Sequence, residues 1–148
     1  VERIAETLHV QVVNSEKELQ DAYTVRKVVF VDEQQVPLEE EIDQYETEAT
    51  HFVLYDSDTA VGAGRFRIVE GIGKVERICV LPSHRSTKGS GRLIMETIEE
   101  YAQMKEIHVL KLNAQTHAEP FYAKLGYETV SGTFLDAGIP HVTMTKNI

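Results

Sequence analysis

Apolar and polar positions alternate from Leu8 to Val13 (LHVQVV), which predicts a first strand. Asn14 and Ser15 then offer an N-cap, and Glu18 follows Ser15 at the three-residue spacing of a capping box. Beyond it Leu19, Ala22, Tyr23, Arg26 and Phe30 recur at helical spacing, so a helix is expected to run to roughly Phe30. Pro37 breaks any continuation, and Glu39-Glu40-Glu41-Ile42-Asp43 follows as an acidic segment with room for a short second helix.

The pattern then turns to strands. His51 to Tyr55 (HFVLY) reads as one, the Asp56-Ser57-Asp58 turn leads to a longer one from Ala60 to Val69 broken by Gly62 and Gly64, and Gly71-Ile72-Gly73 turns into a third from Lys74 to Leu81. Leu93, Ile94, Ile98, Tyr101 and Ala102 mark an amphipathic helix. Ile107 to Leu112 is a strand, Glu119 to Leu125 a short helix ended by Gly126, and Tyr127 to Val130 and Val142 to Thr145 are late strands. Hairpin-like strands in the middle followed by alternating strands and helices imply a mixed sheet with helices on its faces.

With 148 residues the chain suits one domain, taken as residues 1–148. No apolar stretch approaches the ~18 residues a membrane helix needs, and no signal-peptide core is visible near the start, so a cytoplasmic location without a membrane partner is expected. The single cysteine, Cys79, excludes an internal disulfide and a cysteine-rich metal site, and no other set has metal-ligand spacing, so no metal is expected. A net charge of −9 argues against a protein built to grip nucleic acid. It suits a cationic substrate such as an amine, although the plainer reading is a solvated acidic surface.

The most informative stretch is Val75 to Met95, which runs strand, Pro82 turn, polar loop, helix. Gly89 and Gly91, separated by one residue, let backbone amides approach an anion, and the helix start adds unpaired N–H donors and a positive dipole end. Arg85, Lys88 and Arg92 place three cations around the same turn, which would suit a diphosphate. The loop is neither a Walker A motif nor a dinucleotide fingerprint, and a lone G-x-G before a helix is a weak signal.

The context is Asn113 at a strand end, followed by Ala118-Glu119-Pro120-Phe121-Tyr122-Ala123-Lys124-Leu125-Gly126-Tyr127. Together with the Arg85 to Gly91 loop, this segment resembles the GNAT acetyltransferase superfamily. Its cofactor motif is R/Q-x-x-G-x-G/A, and its later motif, A-x-x-F-Y-x-x-x-G-F/Y, is matched from Ala118 through Phe121, Tyr122 and Gly126 to Tyr127. The resemblance covers about Ala60 to Tyr127. Arg26 to Gln34 with Glu40 to Asp43 is similar to a small bacterial branch of the superfamily, and also to the acyl-homoserine-lactone synthases that share the fold. Counted from Arg85, the loop reads R-x-x-x-G-x-G, one residue longer than the family pattern.

The resemblance implies an α/β (α+β) GNAT fold with a mixed, mostly antiparallel central sheet flanked by helices. It implies acetyl transfer from acetyl-CoA, as co-substrate, to a primary amine on a small molecule or peptide, and a domain type that often forms homodimers. On that reading the backbone of Ile78, Cys79 and Val80 pairs with the pantetheine arm. Arg85, Ser86, Thr87, Lys88, Gly89, Ser90, Gly91 and Arg92 form the pyrophosphate turn, and Asn113 and Phe121 join the cofactor set. Tyr122 becomes the general acid that protonates the departing thiolate; a phenol with a pKa near 10 is protonated at neutral pH. The alternative for it is a packed core tyrosine, and for Asn113 a simple strand-end residue.

Glu76 is the expected base, because strict alternation puts it on the same face as Ile78 and Val80; a salt bridge to Arg65 or Arg67 is the competing reading. Glu33, Glu41 and Asp43 could line an acceptor site, and His84, His117 and His141 are further candidates. Cys79, mid-strand among apolar residues, is expected to be inert, so transfer is direct. Acyl-homoserine-lactone synthesis and a non-catalytic CoA-binding module are the alternative functions.

Overall fold

The computed structural model describes residues 7–85 and 89–148. One sheet organises the chain, with strands in the order β1-β2-β3-β4-β5-β8-β6 and β7 paired to β8. The strands are β1 (Leu8–Val12), β2 (Thr50–Asp56), β3 (Thr59–Val69), β4 (Ile72–Val80), β5 (Val109–Gln115), β6 (Glu128–Thr129), β7 (Phe134–Asp136) and β8 (Ile139–Asn147). Every pairing is antiparallel except β4 with β5.

Helix α1 (Glu16–Arg26) starts where the capping box predicts: the Ser15 hydroxyl accepts from the Glu18 amide, and the Glu18 carboxylate accepts from the Asn14 amide. Its Ala22, Val25 and Arg26 face inward. The helix does not stop at Phe30 but widens into a π-helix over Lys27–Glu33, with the Gln34 amide bonded five residues back to Val29. Helix α2 (Leu38–Glu41) follows Pro37. Helices α3 (Ser90–Met104) and α4 (Glu119–Lys124) complete the set.

The sheet is covered on both faces. Ala22 and Val25 of α1 and Val29 of the π-helix pack on Val53, Tyr55, Ala63 and Cys79. On the other face Ile94, Met95, Ile98 and Ala102 of α3 pack on Phe52, Leu54, Phe66, Val75 and Leu110, with Tyr122 in the same cluster. The late strands differ from the sequence reading. β6 shrinks to Glu128–Thr129, β8 extends back to Ile139, and Phe134–Asp136 forms an extra strand that pairs Phe134 with His141.

Two departures from regular pairing create the site. Gly73 to Val75 pair with Leu110 to Leu112, and the pairing of β4 with β5 ends there, so the two strand ends diverge. Further along β4, Glu76 pairs with Arg65 and Cys79 with Ala63, which leaves Arg77 and Ile78 opposite Gly64 alone. This is a β-bulge, with Arg77 at φ 59°. The extra residue inverts the alternation, and the assignment of Glu76 to the face of Ile78 and Val80 is corrected: Glu76 shares the α1 face with Arg65 and Cys79, whereas Ile78 and Val80 pack with the α3 cluster.

Candidate active site

The divergence of β4 and β5 opens a cavity of about 660 Å³, within the range typical of small-molecule sites. Arg77, Ile78, Cys79 and Val80 line one wall, and Asn113, Ala114 and Gln115 the other. Tyr122 lines it from α4, His141 and Asp136 from β8 and β7, and Glu33, Glu39, Glu40 and Glu41 from the π-helix and α2.

Tyr122 is 8% exposed, and its hydroxyl has no hydrogen-bond partner among the described residues. Burial, and then the neighbouring Cys79, push its phenol above the ordinary tyrosine range, so it holds its proton at neutral pH. Burial likewise pushes the Cys79 thiol up to about 12, which keeps it a thiol rather than a nucleophilic thiolate.

The start of α3 lies beyond the end of β4. Gly89 is its N-cap at φ 91°, a left-handed conformation that glycine adopts without strain, and no described side chain caps the helix. The amides of Ser90, Gly91 and Arg92 are therefore without intrahelical acceptors, and the buried Ser90 hydroxyl has no partner among the described residues. These donors at the N-terminus of a 15-residue helix fit an anionic group. Gly91 has a further reason to be small: a Cβ there would stand 3.0 Å from Cζ of Phe121. The two motifs are thus in physical contact.

The two described cations of the turn, Arg85 and Arg92, are not free. Arg85 grips both oxygens of Glu33 at 2.5 Å and donates from Nε to the Val80 carbonyl, and Arg92 pairs with Glu96. Ser86, Thr87 and Lys88 lie outside the described residues. The Asn113 side-chain oxygen accepts from Thr143 across the β5–β8 pair.

Glu76 is engaged as well. Its Oε1 accepts from Arg65 and from Arg67 at 2.8 Å each, and its Oε2 from Arg67 at 3.1 Å. Burial alone would push this carboxyl up, but the Arg67 hydrogen bonds and the charges of both arginines outweigh it and hold it below the usual range. A carboxylate so stabilised is a poor proton acceptor, and the salt-bridge reading is the one the geometry favours.

Glu76 is one edge of a network that sequence reasoning missed. Arg26 is fully buried and donates to Glu41 and Glu46; Arg65, 1% exposed, donates to Asp43, Glu46 and Glu76; Arg77 donates to the backbone of Glu40 and Glu41 and to Asp43. The signal was an arginine inside an apolar helical stripe, followed by a run of acids. A buried cation needs such partners.

The architecture and cleft are those of an acyl-CoA-type transferase. A family model for the acetyltransferase (GNAT) domain matches residues 15–148, and the chain belongs to that family. It is 53% identical over 137 residues to the uncharacterized N-acetyltransferase YjcF of Bacillus subtilis (strain 168), covering 92% of this chain and 97% of that one. The crystal structure of an acyl-CoA N-acyltransferase from Pseudomonas aeruginosa superposes with a TM-score of 0.79 at 22% identity, over 94% of this chain and 97% of that one. A GNAT family acetyltransferase from Elizabethkingia anophelis with acetyl-CoA bound gives 0.76 at 14% identity, over 97% and 99%. These two likenesses are of fold. Among the described residues no helix is long and apolar enough to cross a membrane.

Proposed function

We propose that this acetyltransferase moves an acetyl group from acetyl-CoA directly to a primary amine, with Tyr122 as the general acid. The observation that carries the reading is the β4–β5 cleft, which has Tyr122, Val80 and Arg85 in its wall. The backbone of Ile78, Cys79 and Val80, where β4 has lost its β5 partner, would pair with the pantetheine arm; the Val80 carbonyl there accepts from Arg85. The amides from Gly89 to Arg92 would hold the pyrophosphate, with Phe121 fixing the first turn of α3 from behind. Acetyl-CoA, when bound, supplies the activated acyl carbon. Tyr122 supplies the proton for the sulfur that leaves.

The buried, protonated Cys79 weighs against a covalent acyl-enzyme. Acidic residues at the rim, Glu39, Glu40 and Asp136, favour an acceptor that arrives as a cation. Calorimetry with CoA and acetyl-CoA, followed by turnover on an amine panel read by mass spectrometry, tests this. CoA binding without acetylation of any amine would favour a non-catalytic binding module instead.

A further inference from the structure

Removal of a proton from the acceptor needs a base in the cleft with an accessible lone pair. Among the carboxylates that line it, Glu76, Asp43 and Glu33 have both oxygens held by arginines. Glu41 has one oxygen, Oε1, without a partner among the described residues, but that atom is sealed from solvent. Glu39, Glu40 and Asp136 sit exposed at the rim. His117 is bonded through Nε2 to the Gln115 side chain. His84, bonded to Asp56 and Ser83, does not line the cleft.

His141 is different. We propose that its imidazole is the base that takes the proton of the acceptor's ammonium group, which makes the β8 wall part of the acceptor site. Its Nδ1 lies 2.6 Å from the Ile139 carbonyl oxygen. A carbonyl oxygen can only accept, so Nδ1 carries the hydrogen and the neutral ring presents its lone pair at Nε2. Nε2 has no partner among the described residues, while the side chain lines the cleft. The ring is held by a stack on Phe134, with centroids 6.0 Å apart and planes at 23°, and by the pairing of β8 with β7 on one side and with Gln115 on the other. Imidazole is also the side-chain type suited to proton transfer near neutral pH.

This inference rests on the amine-acetyltransferase reading above. His141 Nε2 takes one proton from the ammonium, leaving a neutral amine whose nitrogen lone pair forms the C–N bond. The C–S bond breaks with its electron pair going to sulfur, and Tyr122 gives that sulfur a proton. The nitrogen's second proton is lost as the amide forms and restores the Tyr122 phenol. His141 returns the first proton to solvent, so each turnover releases one. Titratable groups that line the cleft with His141 include Tyr122 on α4, His117 after β5, Asp136 on β7, and Glu39 and Glu40 on α2.

The test uses butylamine, spermidine, glucosamine and a lysine-containing tetrapeptide with wild type, His141→Gln and His141→Ala. For whichever amine wild type acetylates best, kcat/KM should fall roughly 10²-fold near neutrality in His141→Gln and recover as pH rises and the amine arrives neutral. Imidazole should partly restore His141→Ala. CoA affinity by calorimetry should match wild type in both, which also confirms that the variants fold. Independently, nitrogen NMR of ligand-free wild type should show His141 as the Nδ1–H tautomer. An Nε2–H tautomer, or parallel pH profiles for wild type and His141→Gln, overturns the role of His141 alone. Failure of wild type on every amine overturns the amine reading, and this one with it.

Discussion

The ring of Phe121 occupies the space beside Gly91 that a side chain would need, so the tyrosine motif and the phosphate turn pack as one unit. A Cβ on Gly91 would lie 3.0 Å from Phe121 Cζ. Phe121 cannot retreat freely, because it sits edge-on to Tyr122 with centroids 5.0 Å apart. Alanine normally stabilises a helix by up to ~1 kcal/mol over glycine. Here the clash should win.

Gly91→Ala should therefore destabilise the wild type by about 1 kcal/mol, the lower end of overpacking costs. With Phe121→Leu in place the same change should become neutral or stabilising. Urea unfolding of the four proteins measures the coupling, expected above about 0.5 kcal/mol. Strict additivity would show that the two residues do not press on each other.

Tyr122→Phe removes only a hydroxyl that no described residue bonds, so stability should hardly change. If that hydroxyl protonates sulfur, kcat should fall about 10²-fold while CoA affinity by calorimetry stays near wild type. Wild-type turnover in the variant would leave Tyr122 as packing.

The helix start at Ser15, the succession of the main strands and helices along the chain, and the Tyr122 motif were legible because each is a local signal: a cap, a period or a contiguous string. Glu76 was misplaced because parity counts residues, and one inserted residue at Arg77 reverses every side chain before it relative to those after it. The contact of Gly91 with Phe121 was not legible because the two residues lie thirty positions apart in the chain. His141 could not be weighted because its tautomer is set by the Ile139 carbonyl, a backbone contact without a sequence signature.

Cys79 offers a check on direct transfer. With its thiol pushed up to about 12 by burial, the thiolate fraction near pH 8 is about 10⁻⁴, against roughly a quarter for an ordinary thiol of pKa near 8.5. Iodoacetamide should therefore label the folded protein at least ~10³-fold more slowly than the protein in urea, on thiolate fraction alone. Equal rates would reopen a covalent intermediate.

Glu76→Gln should act on stability before it acts on chemistry. The substitution leaves Arg65, 1% exposed at its side chain, short of one carboxylate, although Asp43 and Glu46 remain. Removing one partner of a sealed ion pair costs ~3–5 kcal/mol; because Glu76 keeps 17% side-chain exposure, about 2–3 kcal/mol is expected. The pH dependence gives the sign. For Asp43, Glu46 and Glu76, burial is outweighed by arginine hydrogen bonds and charges, and each carboxyl is held below its ordinary value. Their contribution is present above the unfolded carboxylate range and is lost as pH falls through the lower folded values. Glu41 runs the other way: burial raises it despite Arg26 and Arg77, so its contribution is present at low pH and lost as pH rises through its folded value. With three carboxylates against one, urea midpoints of wild type should drop below about pH 4.5, and the drop should be shallower in Glu76→Gln. A variant whose acid limb runs parallel to wild type, with its midpoint unchanged at neutral pH, would show that the Glu76 ion pairs add nothing to stability and would return that carboxylate to the list of available bases.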